Sequence, residues 1–275
     1  MTGSRGQLGR ALARAAAARG DHAVGVDLPD VDITDGAAVR ALVREVRPEW
    51  IFNAAAFTAV DEAERREAEA DAVNAAAVGY LAAAADETGA GLVQVSTDYV
   101  FDGSGSRPYR EDDPVAPRSA YGRTKLAGER AAAGAGRVLI ARTAWLYGEG
   151  ANFVAAIRRQ IDGGAATLRV VADQRGCPTY AADLAEALFA LVDAGASGVV
   201  HVVNSGSATW HELACEIVRV LGARVEVRAV TTGDMPRPAP RPAYSVLDTG
   251  RLEALLGQGL PPWRDALARY LETDR

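Results

Sequence analysis

Cysteine and histidine are scarce in this chain: two and three of 275 residues. Cys177 and Cys215 lie far apart without a CxxC pair, which excludes a disulfide framework and a zinc ribbon. His22, His201 and His211 are equally scattered and spell no metal-ligand motif. These five residues are therefore assigned to structure, and no metal ligand is read from the sequence. No apolar run approaches ~18 residues, so no transmembrane helix is expected. The N-terminus has no hydrophobic region of the kind a secretory signal carries. A basic surplus is missing too: 30 Lys and Arg against 36 Asp and Glu leave a net charge of −6. That balance argues against nucleic acid and anionic membranes as partners. No internal repeat is present. What is left, 49% hydrophobic and 24% charged residues, is the composition of a soluble globular protein, and a reduced, cytoplasmic setting is the simplest reading.

The chain opens with Gly3-Ser4-Arg5-Gly6-Gln7-Leu8-Gly9, a GxxGxxG run that leads into the alanine-rich stretch Arg10 to Ala18, ended by Gly20. Glycines just before a helix let the backbone approach a pyrophosphate, whose charge is favourable at the helix N-terminus. His22 to Val26 then reads as a short strand ending in Asp27, about 20 residues on, where an acid can bond ribose hydroxyls. Trp50-Ile51-Phe52-Asn53-Ala54-Ala55-Ala56 reads as a strand that ends in small residues, leaving room for a flat cofactor.

Helices are expected from Asp35 to Val46 and from Asp61 to Thr88, with apolar strands at Leu92–Ser96 and Val138–Arg142. Strands alternating with helices imply a doubly wound parallel sheet of Rossmann type, whose ligands bind beyond the carboxyl ends of its strands. The glycines, Asp27, Ala54 to Ala56 and Ser96-Thr97 all fall at such ends. Residues 1–150 thus form a dinucleotide-binding domain. Residues 151–275 form mainly a smaller, mixed α/β substrate-binding part, some segments of which return to the first domain. Thr209-Trp210-His211-Glu212 fits a capping box. Pro236, Pro238, Pro240 and Pro242 make a stiff segment, readable as a surface connector or as a rim over a ligand site.

The chemistry centres on Tyr121-Gly122-Arg123-Thr124-Lys125. A Tyr and a Lys four residues apart share one helix face. A nearby ammonium favours the phenolate and brings a pKa of ~10 toward the working range. A hydroxyl from the end of a strand, Ser96 or Thr97, could bond the same substrate oxygen.

Taken in order, these motifs resemble one family, the extended short-chain dehydrogenase/reductases, and within it the dTDP-4-dehydrorhamnose reductases. The resemblance rests on the GxxGxxG run, on Ser96-Thr97-Asp98-Tyr99-Val100-Phe101-Asp102-Gly103, and on Tyr121 to Glu129. It continues through Arg142-Thr143-Ala144-Trp145-Leu146-Tyr147-Gly148 and Asp173-Gln174-Arg175-Gly176-Cys177-Pro178-Thr179. It implies that Tyr121 is the general acid, Thr97 its partner on the substrate oxygen, and Lys125 a ligand of the nicotinamide ribose. It implies a cofactor site made of Gly3, Gly6, Gln7, Leu8, Gly9, Asp27, Asp32, Ile33, Ala54, Ala55 and Ala56, together with Tyr121 and Lys125. Thr97, Asp98, Trp145 and Arg241 would bind the substrate, a dTDP-sugar reduced at its C4 ketone. The cofactor is NADPH or NADH: Asp27 would repel a 2′-phosphate and Arg5 would attract one, while the family leans to NADPH. The resemblance allows a homodimer, which composition does not decide.

Two other readings stand beside this one. A sugar-nucleotide epimerase or dehydratase of the same superfamily is weakened because only Asp98 follows Thr97, where dehydratases place an acid pair. A non-catalytic, NADP-binding regulatory subunit is weakened by the intact Thr97, Tyr121 and Lys125. One departure from the family is expected to matter. Only Met1 and Thr2 precede the glycine loop, whereas strand order 3-2-1-4-5-6 puts a first strand of ~5 residues at the centre of the sheet. The expectation is a truncated first strand, with a natural chain that begins upstream.

Overall fold

The structure is a computed structural model and describes residues 1–273. Helix α1 (Gln7–Arg19) starts at Gly6 and closes at Gly20, whose φ of 77° is the left-handed turn that glycine takes without strain. Helix α2 (Gly36–Val46) is capped by Asp35, which accepts from the amides of Ala37 and Ala38. Strands β1 (Trp50–Asn53), β2 (Gly91–Thr97) and β3 (Val138–Thr143) run parallel. Helix α3 (Ala77–Thr88) connects β1 to β2, and helix α4 (Ala120–Ala132) connects β2 to β3. Helix α5 (Ala181–Asp193) and strand β4 (Gly198–His201) come from the second half of the chain, yet β4 pairs in parallel with β3.

Thr2 bridges Val26 on one side and Asn53 on the other, so the sheet continues past β1 through residues 1–2 to residue 26. Numbered along the chain, the order is therefore 2-1-3-4-5-6 and not the expected 3-2-1-4-5-6. Residues 27–35 turn instead of supplying another strand before α2. The first-strand slot is still flanked on both sides, but only Met1 and Thr2 fill it. The Thr2 amide donates to the Phe52 carbonyl at 3.0 Å and the Val26 amide to the Met1 carbonyl at 2.9 Å. Because the partner is two residues long, His22 to Val26 do not form the expected strand beyond that single bridge. The rest of the slot is a trough of about 560 Å³ between residues 21–26 and 47–52, into which the Met1 ammonium points, bonded to the Val24 carbonyl.

Two apolar layers cover the sheet. Leu8, Leu12 and Ala16 of α1 pack with Leu184, Leu188 and Leu191 of α5 on one face. Val39 and Val43 of α2 pack with Val78, Leu81 and Ala85 of α3 on the other. Each fully buried aliphatic side chain contributes roughly 1.5–3 kcal/mol. A third cluster belongs to the second half, where Thr167–Val171 pairs with Glu226–Val230 and packs on Trp210–Leu221 and Trp263–Thr273. The capping box at Thr209 and Glu212 is present. Among the described residues no helix is long and apolar enough to cross a membrane.

The expected helix from Asp61 to Thr88 is broken into Val60–Ala63, Glu67–Asp71, a π turn over Ala72–Ala76, and α3. A tertiary contact explains the π turn. Asn74 lies within it, bonds the Phe57 backbone in both directions, and donates to the Thr124 hydroxyl of α4 at 3.1 Å. The loop after β1 is thereby fastened to the helix that carries Tyr121 and Lys125.

Candidate active site

At the carboxyl ends of β1, β2 and β3 lies a cleft of about 710 Å³. Of the residues expected to hold cofactor, Gly3, Gly6, Gln7, Leu8, Asp27, Asp32, Ile33, Ala54, Ala55, Ala56, Tyr121 and Lys125 line it. Gly9 does not. A Cβ there would come 2.1 Å from the Gly3 carbonyl oxygen, so Gly9 serves the close packing of α1 on its own loop. Thr97 and Trp145 line the cleft; Asp98 and Arg241 do not. Arg241 borders an adjoining pocket of about 210 Å³ with Tyr99, Arg118 and Pro242, which brings the proline segment to a rim beside the cleft. Its guanidinium pairs with Asp61 at 3.0 Å, and Asp61 also accepts from the Ala239 amide.

The glycine loop suits a diphosphate. Gly6 caps α1 without a side chain, and no acid occupies the first turn, so free amides and the positive end of the helix meet the cleft. Gly3 sits at φ +64°, and a Cβ there would come 2.6 Å from the Ala55 nitrogen. Only glycine allows that approach. Gln7 Oε1 is buried without a partner, a polar atom left over in the same loop. At the far end Asp27 accepts from the Arg5 and Leu28 amides at 2.9 and 2.8 Å. The Arg5 guanidinium pairs with Asp30 at 2.6 Å.

Tyr121 and Lys125 are set by how α4 sits. Ser119 caps the helix by accepting from the Gly122 amide at 3.1 Å. Gly122 and Gly128 let it approach two backbones, since added Cβ atoms would meet the Tyr99 and Asn74 carbonyl oxygens at 2.3 and 2.0 Å. The Lys125 ammonium donates to the Val95 carbonyl at 2.7 Å. Burial lowers its pKa to about 8, with Glu129 pulling the other way. The Tyr121 hydroxyl moves opposite to the sequence expectation: burial, with a smaller push from Asp98, raises its pKa to about 12, opposed by a hydrogen bond with Thr97. Lys125 is turned to β2 and does not depress it. A phenol held this way keeps its proton at neutral pH, and that suits an acid that must donate to an alkoxide.

Ser96 and Thr97 end β2 and have different partners. The Ser96 hydroxyl donates to Glu129 Oε1 at 2.5 Å, so Thr97 alone presents a hydroxyl beside Tyr121. Glu129 is bound bidentately by Arg142 of β3 at 2.9 and 2.8 Å, with both side chains 5–6% exposed. Opposite, Trp145 holds the left-handed φ of +45°. Its indole lies on Trp210 at 3.5 Å and an interplanar angle of 4°, in space kept free by Gly176. Sequence reasoning assigned no role to Glu129, Asn74, Asp61 or Trp210. Glu129 carried a signal, because it continues the four-residue spacing of Tyr121 and Lys125 on one face of α4.

Comparison with known proteins gives a consistent result. The family described as the RmlD substrate binding domain matches residues 1–275. The chain is 49% identical to a dTDP-4-dehydrorhamnose reductase of Streptomyces griseus, over 97% of this chain and 90% of the relative. It is 47% identical to a probable dTDP-4,6-dihydroxy-2-methyloxan-3-one 4-ketoreductase of Streptomyces antibioticus, over 97% and 92%. The crystal structure of a Bacillus anthracis dTDP-4-dehydrorhamnose reductase in complex with NADP superposes with a TM-score of 0.96. It is 36% identical and covers 99% of this chain and 97% of that one.

Proposed function

The chain belongs to the dTDP-4-dehydrorhamnose reductase family, and from that premise we propose that it reduces the C4 ketone of a dTDP-4-dehydro-6-deoxyhexose with NADPH or NADH. The expected reaction converts dTDP-4-dehydro-L-rhamnose to dTDP-L-rhamnose. The observation that carries this reading is the meeting of Thr97, Tyr121 and Lys125 in one cleft with the glycine loop and Ala54 to Ala56.

Gly3, Gly6, Gln7 and Leu8 would hold the cofactor diphosphate, Asp27 and Arg5 would face its adenosine end, and Lys125 would bond the nicotinamide ribose. The reduced nicotinamide supplies the hydride when bound. Thr97 and Tyr121 donate to the ketone oxygen and stabilise the charge that develops there. Tyr121 then gives its proton to the new alkoxide. Trp145, held by its stack on Trp210, would wall the sugar side of the cleft. Arg241 would meet the dTDP diphosphate by exchanging Asp61 for it. A nucleotide sugar and a reduced nicotinamide as reactants support work in the cytoplasm.

Incubating the protein with NADPH or NADH and a panel of dTDP-4-keto sugars tests the reading. Loss of reduced-nicotinamide absorbance with formation of a C4 alcohol is expected. No turnover with any member of the panel would refute it. Product stereochemistry decides between dTDP-L-rhamnose and the C4 alcohols of other dTDP-4-keto sugars, such as the one for which the S. antibioticus relative is named.

A further inference from the structure

Thr97 has one hydroxyl hydrogen, and its direction is set by what lies behind it. Its Oγ accepts from the Tyr99 amide at 3.2 Å, lies 3.0 Å from Oδ1 of Asp98, and faces the Tyr121 hydroxyl as Ser245 faces Asp98. Asp98 is 2% exposed and lines neither the cleft nor the adjoining pocket. Its Oδ2 has no partner, and the Ser245 hydroxyl that faces it is unpaired as well. The titratable groups that feel its charge are Tyr99, Tyr121 and Cys177; each is pushed up, and none is a cation. A buried carboxyl with an unsatisfied oxygen and, among the described residues, no ion-pair partner favours its protonated form. Burial raises the Asp98 pKa to about 6, while the facing Ser245 and Thr97 hydroxyls and the amides of residues 98 and 99 pull it back down.

Counting hydrogens gives two arrangements. When Asp98 is ionised, the Thr97 hydrogen goes to the carboxylate. Thr97 can then only accept, and both its own proton and that of Tyr121 are directed away from a substrate oxygen. When Asp98 is protonated on Oδ1, it donates to Thr97 and leaves Oδ2 to the Ser245 hydroxyl that faces it. The Thr97 oxygen then accepts from Asp98 and from the Tyr99 amide, and its hydrogen is free to point into the cleft.

We propose that Asp98 is a positioning residue whose protonation sets the direction of the Thr97 hydroxyl, turning it toward the substrate oxygen when the carboxyl is neutral and away when it is ionised. The inference rests on the reading of Thr97 and Tyr121 as donors to the ketone oxygen.

The test is the pH profile of kcat/KM for the wild type, Asp98→Asn and Asp98→Ala. The ratio of Asp98→Asn to wild-type activity removes what the two share, including any limb due to Lys125. From about pH 6 to about pH 8 the neutral fraction of a group with this midpoint falls by more than tenfold. The ratio is expected to rise at least severalfold over that range, with KM little changed because Asp98 does not touch the cleft. Asp98→Ala, with no group to hold the Thr97 hydrogen, should lose the same limb. Parallel profiles for all three proteins would overturn the proposal. Infrared spectra of the wild-type protein with labelled aspartate need neither substrate nor variant. A buried protonated aspartate titrating near neutrality supports the proposal, and its absence at about pH 6 overturns it. A wild-type protein without turnover, by contrast, sinks the functional reading and leaves the infrared result to decide this one.

Discussion

Replacing Glu129 by Gln removes one negative charge from the most enclosed ion pair around the site. Glu129 takes two bonds from Arg142 and one from Ser96. In the variant one oxygen can still accept, but in either orientation the amide nitrogen faces a guanidinium N–H, donor against donor. Arg142 is left charged and buried, with the Phe101 ring at 5.1 Å and a 3.4 Å contact to the Glu111 carbonyl as its remaining support. Breaking a buried pair on one side costs ~3–5 kcal/mol. That is a large share of the ~5–15 kcal/mol that holds a native protein together. At ~2–4 °C per kcal/mol for a domain slightly smaller than this one, the melting temperature should drop by roughly 6–20 °C. Replacing both partners, Glu129→Leu with Arg142→Met, should recover at least half of that loss, because no lone buried charge remains. The loss should also depend on pH through Lys125. Its folded pKa of about 8 lies below the unfolded value of 10.5, so the native state binds fewer protons between the two. Stability from this group therefore rises with pH across that window, and the penalty is complete below it. Without Glu129 the folded pKa falls further and the window opens at lower pH. The gap between variant and wild type should thus be widest in acid, below both folded values, and close by about pH 8, where Lys125 is neutral in both folded forms. Thermal melts followed by circular dichroism settle the matter. A single variant that melts within about 2 °C of wild type would refute the reasoning.

Tyr121→Phe should cut turnover by at least ~10²–10⁴ while cofactor binding, read by fluorescence titration, stays near wild type; more than a tenth of wild-type turnover would rule Tyr121 out as the acid. Trp210→Ala removes the stack that holds Trp145, worth ~0.5–1.5 kcal/mol, and should raise KM for the sugar nucleotide by about 2–12-fold with a smaller change in kcat. An equal fall in kcat and kcat/KM would place Trp210 elsewhere in the reaction. Fusing an apolar, β-prone segment of about five residues ahead of Met1 should raise the melting temperature, because it replaces a buried ammonium by an amide and gives the trough strand partners at roughly 1 kcal/mol per hydrogen bond. An unchanged melt would mean that the added segment stays outside the slot.

The parallel sheet and the strand ends that meet the cleft were legible because apolar runs of four to seven residues alternate with alanine-rich helices, a local signal. Tyr121 and Lys125 were legible for a similar reason, since one helix fixes their separation. What escaped depended on partners distant in sequence. Glu129 looks like a solvated acid until β3 brings Arg142 against it, and Asn74 forces a π turn only because Thr124 and Phe57 stand where they do. The direction of a side chain was equally hidden: adjacent in sequence, Ser96 faces Glu129 and Thr97 faces Tyr121. His22 to Val26 have the composition of a strand, but a strand needs a neighbour, and here the neighbour is two residues long.

The return of β4 and α5 to the sheet has a consequence for how such enzymes can be recombined. A chimera joined near residue 150 would exchange more than the paired strands Thr167–Val171 and Glu226–Val230 and the helices packed on them. It would carry over the strand that pairs with β3 and the helix whose leucines cover α1, so the donor's cofactor-side core would have to fit the recipient's. The covalent seam and the structural seam do not coincide. On the proposed reading, sugar preference is better transplanted as separate patches, the Trp145–Trp210 stack and the segment from Pro236 to Pro242, than as a contiguous half.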